Sequence, residues 1–471
     1  MRHNTGVQPT NQRKRAKHSR SRLGCGVCRT RRVRCDQTRP VCNRCSSTRR
    51  KCDGYAQAPE AISSLLTLLP KAPTSAVQIE FTESYALRHF LHSTSKELAG
   101  DFEDDFWRCL VLQACIKESC VRHMAVALAC LHAYLEPRTG MVPIANQLKS
   151  QALSYYGMGI RRLNNLIDRS GWSQIEAILM CSILCILFEW RHQNYASALT
   201  HLQSSLHILQ QWFFHAKATS HGSSRKMVKV DNQFIRRTLL PALAKMEVQS
   251  VSLLGGYTSN ISNLVGELRP DLEFNTLPEA KESLFRIIAQ VNLRVPHVSP
   301  ADQSLFRAQQ AQWSERLDIV LSRQPANADA CLAGKAAVQA LTLCIWRKTT
   351  YLMALKESMK PFRFDWLPGE FWGIFELCER LVGMQQSSKF TADLSVVLVL
   401  YFVAFHAPDF TLRRKAIILL EDSRRHEGIW NSGLATLVAR KAYWAAEQGL
   451  LDIDEATTQS FWDLEIIDGP D

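Results

Sequence analysis

The chain has 471 residues, with 57 Lys and Arg against 44 Asp and Glu, a formal net charge of +13. The excess is local: residues 1–55 hold 16 basic and 2 acidic side chains, while the other 416 residues hold 41 and 42. That distribution excludes a chain that grips nucleic acid or membrane over its whole surface, and describes a small polyanion-binding head on a neutral body.

Residues 1–24 lack the apolar centre of a secretory signal and the large apolar side chains of an amphipathic transit peptide. Within them Arg13, Lys14, Arg15 and Lys17 form a basic run. It reads as a nuclear-import signal that doubles as a DNA-contacting arm, the plainer alternative being a disordered basic tail.

Six cysteines follow, at positions 25, 28, 35, 42, 45 and 52, spaced C-x2-C-x6-C, then six residues, then C-x2-C-x6-C. The second triplet repeats the first at a constant offset of 17 residues. A C-x2-C turn gives two thiolates the bite for one zinc, and structural zinc takes four ligands. One ion would use four of the sulfurs; two ions need eight bonds, which six thiolates supply if two of them bridge. The tandem symmetry favours the second solution, because each half then contributes one bridge from the same place. A disulfide framework would need an oxidising compartment, and a redox C-x-x-C would need a strand and a helix around it. Twenty-eight residues are too few to bury a core of their own, so the metal would supply the folding energy.

The segment Cys25–Cys52 resembles the binuclear zinc-cluster DNA-binding domain of fungal transcription factors, without a gap. The resemblance implies two zinc ions bridged by Cys25 and Cys42, with Cys28 and Cys35 completing one site and Cys45 and Cys52 the other. It also implies that a basic residue between the second and third cysteines reads a CGG-type triplet in double-stranded DNA. By position that role falls on Arg32, with Arg31 beside it, on a short helix starting near Cys28. Arg29 and Arg34 flank them, and arginine's planar fork suits both guanine and phosphate. Arg49, Arg50 and Lys51 occupy the matching segment of the second half and are expected to clamp phosphate. Pro40 shapes the loop between the halves.

Residues 53–78 are polar and proline-spaced and read as a linker. Its apolar run Ala61–Leu69 ends at Pro70, short of the three or four heptads of a coiled coil. A homodimer without a long coiled coil, pairing through the body, and monomeric binding both stay open. Residues 79–450 are helical by period: Val121, Met124, Leu128, Leu131 and Leu135 make one stripe, and Leu199, Leu202, Leu206, Leu209 and Phe213 another. Residues 177–188 and 395–405 are apolar all round but too short to cross a bilayer, and are expected as buried helices, with no membrane partner. Breaks are expected at His215–Asn232, Pro296 and Pro300, Gln324–Ala330 and Pro361–Pro368. The other nine cysteines read as small buried hydrophobes.

Residues 101–107 (DFEDDFW), Val121-Arg122-His123 and residues 194–202 (NYASALTHL) resemble, more weakly, the helical regulatory domain of the same regulators. Residues 451–471 alternate acids with large apolar side chains. They read as a docked last helix with an acidic end, or as an activation segment for a transcription coactivator. No G-x-S-x-G, P-loop or H-E-x-x-H is present, so no catalytic residue is assigned and the chain is not expected to be an enzyme. The expected architecture is mostly α: a small two-zinc cysteine cluster followed by a large all-helical domain. The expected function is a nuclear, sequence-specific transcription factor for RNA polymerase II genes, with a metabolic gene cluster as its target by analogy. The alternative is a helical ligand-binding or scaffold protein with a zinc-dependent, non-specific nucleic-acid tether.

Overall fold

The computed structural model describes residues 25–52 (apart from 32, 34 and 37–40), 83–136, 145–220, 232–253, 259–294, 298–323, 330–358, 367–384 and 390–448. The chain divides into two units, one before and one after Leu68. The basic arm (Arg13, Lys14, Arg15, Lys17), the linker and the acidic tail lie outside the described residues, as do Arg32, Arg34 and Pro40.

The N-terminal unit holds two short helices, α1 (Gly26–Thr30) and α2 (Asn43–Ser46). The second unit is built mostly from longer ones, beginning with α3 (Glu83–His89), the short α4 (Ser95–Ala99), α5 (Val111–Lys117) and α6 (Ser119–Leu135). Then come α7 (Ala145–Ser170), α8 (Ile175–Arg191), α9 (Tyr195–Ser220) and α10 (Leu240–Leu253). The second half comprises α11 (Leu277–Asn292), α12 (Pro300–Ser322), α13 (Ala330–Ser358), α14 (Pro368–Met384), α15 (Val397–His406), α16 (Phe410–Ser423) and α17 (Ser432–Glu447).

The apolar stripes settle which helices meet. Helix α6 packs against α7 and α8, and α8 against α9. Val121, Met124, Leu128 and Leu131 are buried as the stripe requires, but Leu135 is 39% exposed where the helix ends. On α9, Leu202, Leu206, Leu209 and Phe213 are buried, and the helix runs to Ser220 rather than breaking at His215. Helix α8 is covered on all sides from Ala177 to Trp190. Counted from Trp172 to Arg191 it is long and apolar enough to cross a membrane by length and composition, but 78% of that window is buried inside the fold. Its apolar surface is spent on neighbouring helices. Helix α15 is the corresponding element of the second half, packed on α14, α16 and α17. Pro300 opens α12 at its first turn behind the cap Ser299, whose hydroxyl accepts from Asp302 N–H while the Asp302 carboxylate accepts from Ser299 N–H.

A three-stranded sheet of two-residue strands joins the halves: β1 (Phe390–Thr391), β2 (His426–Glu427) and β3 (Trp430–Asn431). β1 pairs parallel with β2 and β2 antiparallel with β3. Its purpose is visible in Glu427, which is fully buried. The carboxylate accepts from the N–H groups of Ser395 (2.7 Å), Val396 (3.2 Å) and Val397 (3.0 Å), and from Nε of Arg425 (2.9 Å). Helix α15 has no cap from its own side chains, so a buried acid borrowed from the sheet satisfies its orphan donors and meets its positive end. The β2–β3 turn needs Gly428, at φ +60°, where an added Cβ would lie 1.7 Å from Oε1 of Gln249. That Gln249 oxygen accepts from Ile429 N–H at 3.1 Å, and its Nε2 donates to the Ala392 carbonyl at 3.0 Å.

Removing the carboxylate strands three backbone donors and a buried guanidinium. Glu427→Ala is therefore expected to cost about 3–5 kcal/mol, as breaking a buried ion pair does, read from denaturant unfolding. A loss below about 1 kcal/mol, the worth of an ordinary hydrogen bond, would contradict this role for Glu427.

Candidate metal centre and nucleic-acid interface

The two halves of the cysteine segment fold alike because each begins with a cysteine that starts a helix. Cys25 Sγ accepts from Cys28 N–H at 3.4 Å, and Cys42 Sγ accepts from Cys45 N–H at 3.3 Å. Each C-x2-C turn thereby sets its two sulfurs on the same side. Helix α1 starts at Gly26, ahead of the expected start near Cys28. Asp36 ties the halves together: its carboxylate accepts from Asn43 N–H (3.0 Å) and Arg44 N–H (3.1 Å), at the start of α2. Val27 and Val33 pack on the sulfurs from outside.

All the cysteines of this segment but the half-buried Cys52 are buried. Their sulfurs form two groups of four, Cys25–Cys28–Cys35–Cys42 and Cys25–Cys42–Cys45–Cys52, each with all sulfurs within 4.8 Å of one another. The groups share Cys25 and Cys42. Tetrahedral zinc with bonds of about 2.3 Å puts its sulfurs about 3.8 Å apart. Here Cys25–Cys42, Cys25–Cys45 and Cys28–Cys42 are each 3.7 Å apart, and Cys42–Cys52 is 4.0 Å. One contact crosses between the groups, Cys28–Cys45 at 3.9 Å. Burial pushes the Cys25 and Cys28 thiols up and Cys42 to about 12, so a cation among them is what would hold these sulfurs as thiolates. The donor set fits two zinc ions: six soft sulfurs, no competing oxygen, two tetrahedra sharing an edge.

The basic side chains are divided by this fold. Arg49, Arg50 and Lys51 lie exposed after α2, with Arg49 in the left-handed region at φ 48°. Arg31 is half-buried, and its Nη1 donates to the Thr48 hydroxyl at 3.2 Å, joining positions that the 17-residue repeat makes equivalent. Arg29 has its backbone in α1, and its side chain is outside the described atoms. Exposed Arg44, the Asp36 strap and Thr48 were not singled out by the motif. No spacing rule marks them, since each acts through its position relative to the other half.

Residues 23–61 match the fungal Zn(2)-Cys(6) binuclear cluster domain, and residues 85–271 the fungal specific transcription factor domain. Both segments are thus similar to domains of fungal zinc-cluster transcription factors. Among similar proteins are the aspercryptin biosynthesis cluster-specific transcription regulator of Emericella nidulans, 30% identical over 213 residues, and the transcription regulator lscL of Purpureocillium lilacinum, 25% identical over 203 residues. The matches cover 41% and 39% of this chain, but only 35% and 48% of those proteins. No solved structure matches.

One other group among the described residues has metal-like spacing: Glu97, His132 and Glu136 in the helical unit. His132 Nε2 lies 3.5 Å from both carboxylates, and Nδ1 meets the Thr94 hydroxyl at 2.9 Å. Glu136 also accepts from Arg191 at 2.8 Å. Burial disfavours the imidazolium, but Glu136 and Glu97 outweigh it and hold the His132 pKa above its ordinary value. His132 and Arg191 thus face two carboxylates, in a network of ionisable groups tying α4, α6 and α8. On the far side of Arg191, buried His426 is held neutral, its pKa pushed down to about 3 by burial and the guanidinium.

The two histidines act with opposite sign. The raised His132 pKa adds stability below its unfolded value of about 6.5, lost as pH rises through the folded pKa. The depressed His426 pKa gives stability that is present above about 6.5 and lost as pH falls toward 3. In melting curves taken across pH, His132→Gln should remove an alkaline-side decline and His426→Asn an acid-side one. Changes of the same sign in both variants would contradict the assignment.

Proposed function

We propose that the chain is a DNA-binding regulator of transcription by RNA polymerase II, acting in the nucleus. The observation that carries this reading is the pair of four-sulfur groups sharing Cys25 and Cys42 within the basic end of the chain. In this reading Cys28 and Cys35 complete one zinc site and Cys45 and Cys52 the other. The folded cluster presents arginines to double-stranded DNA. Arg32 reads a guanine of a CGG-type triplet. Arg31, drawn toward Thr48, braces the two halves and reaches the same groove. Arg29, Arg34, Arg49, Arg50 and Lys51 hold phosphate, contributing affinity and salt dependence but no sequence choice. Arg13, Lys14, Arg15 and Lys17 serve import and extend the basic footprint. The relative named for a biosynthetic cluster supports a metabolic gene cluster as the target. The helical unit relays a signal, the acidic tail offers a surface to coactivators, and no catalysis is assigned. A homodimer would pair through the helical unit.

The test is binding by the zinc-loaded chain to CGG-containing and scrambled duplexes over a salt series. Arg32→Ala should cost about 1–3 kcal/mol, only on the CGG duplex. Arg49→Ala should weaken both duplexes alike and lower the salt slope by about one. Chelation should abolish selective binding. Selectivity that survives chelation, or an Arg32→Ala loss equal on both duplexes, would overturn the reading.

A further inference from the structure

A cavity of about 390 Å³ lies between α10, α11, α12, α13 and α15 of the helical unit, with Trp430 of β3 also in its lining. Of these walls only α10 falls within a stretch matched to a known domain. The volume lies in the range of about 300–1,000 Å³ typical of small-molecule sites. The lining is dominated by Phe285, Trp346, Phe402, Phe405 and aliphatic side chains.

The polar groups of the wall are mostly spent on the protein itself. Trp346 Nε1 donates to the Ser395 carbonyl (3.1 Å) and Trp430 Nε1 to the Ser252 hydroxyl (3.3 Å). The hydroxyls of Thr342 and Thr350 donate to carbonyls of their own helix, at 2.9 and 2.7 Å. At one end stand two ammonium groups, each with three N–H donors. Lys245 lies 3.2 Å from Glu282 and 3.9 Å from Asp393, and Lys281 bonds Asp393. Each retains donors that its carboxylate does not use. With Arg286, which also bonds Glu282, and Asp104, whose charge acts on Lys245, three cations face three carboxylates and leave no net charge to attract an ion.

We propose that this cavity binds an uncharged, largely apolar small molecule carrying one carbonyl or similar oxygen, the oxygen accepting from Lys245 and Lys281 and the body lying on the aromatic wall. Its role as a regulatory ligand rests on the function proposed above; the binding does not.

The test uses the full zinc-loaded chain without DNA and the uncharged fluorescent ketone 6-propionyl-2-(dimethylamino)naphthalene. Saturable one-to-one binding with blue-shifted emission and energy transfer from tryptophan is expected. Val291→Trp and, from another wall, Met353→Trp fill the cavity and should each weaken binding by about tenfold or more, with folding checked by the thermal transition. Lys245→Met leaves Glu282 paired with Arg286 and Asp393 with Lys281. It should weaken the ketone about fivefold, the worth of one hydrogen bond, and leave the propyl analogue lacking the carbonyl unaffected. No saturable binding, or binding indifferent to both tryptophan variants, overturns the site. Equal loss for ketone and propyl analogue overturns the assigned orientation. A chain that reads DNA but binds no ketone removes only this proposal, and the reverse result removes only the proposed function.

Discussion

The N-terminal unit depends on sulfur standing in for a core. A segment of 28 residues cannot bury enough apolar surface to offset the entropy of ordering it. What lies at its centre is a set of thiols, with Val27 and Val33 as a thin apolar cover. Six sulfurs in two overlapping groups of four make metal binding and folding one event, because neither ligand set exists in the unfolded chain. Every other feature of the unit serves that arrangement. Cys25 and Cys42 start their helices with the same atoms that they share between the two groups. Asp36 and Arg31 bolt the halves together, and the exposed arginines take their positions from that rigid frame.

The helical unit solves the opposite problem. It has apolar surface in excess, and its constraint is to satisfy backbone and charge where helices α8 and α15 are covered on all sides. Glu427 and the Glu97–His132–Glu136–Arg191 network are both answers to it, each setting carboxylates against donors of the helices around them. Where the matching leaves a few donors over, at Lys245 and Lys281, the unit also leaves a cavity.

Much of this was legible in residue order. The repeated cysteine spacing points to two zinc ions before any coordinates, because soft-ligand spacing is set by local turns. The apolar periods place α6, α8, α9 and α15, since burial on one face or on all faces writes itself directly into sequence. Other features were not legible. Glu427 caps a helix 30 residues before it, and Arg191 meets Glu136 and His426, 55 and 235 positions away; such contacts arise from tertiary packing and leave no local signature. The three short strands hide for the same reason, being too brief to alternate. The early end expected for α9 came from reading polar residues after His215 as a breaker, whereas a surface helix tolerates them.

The N-terminal unit stands or falls with two metals sharing the sulfurs of Cys25 and Cys42. Replacing zinc with cadmium-113 and recording its NMR spectrum tests this directly, because nuclei joined through a common sulfur split each other's signals. Two signals of equal intensity are expected, both in the range of four-sulfur coordination, with mutual coupling. A single signal, or two signals without coupling, would contradict the shared-sulfur centre and with it the frame on which the exposed arginines are placed.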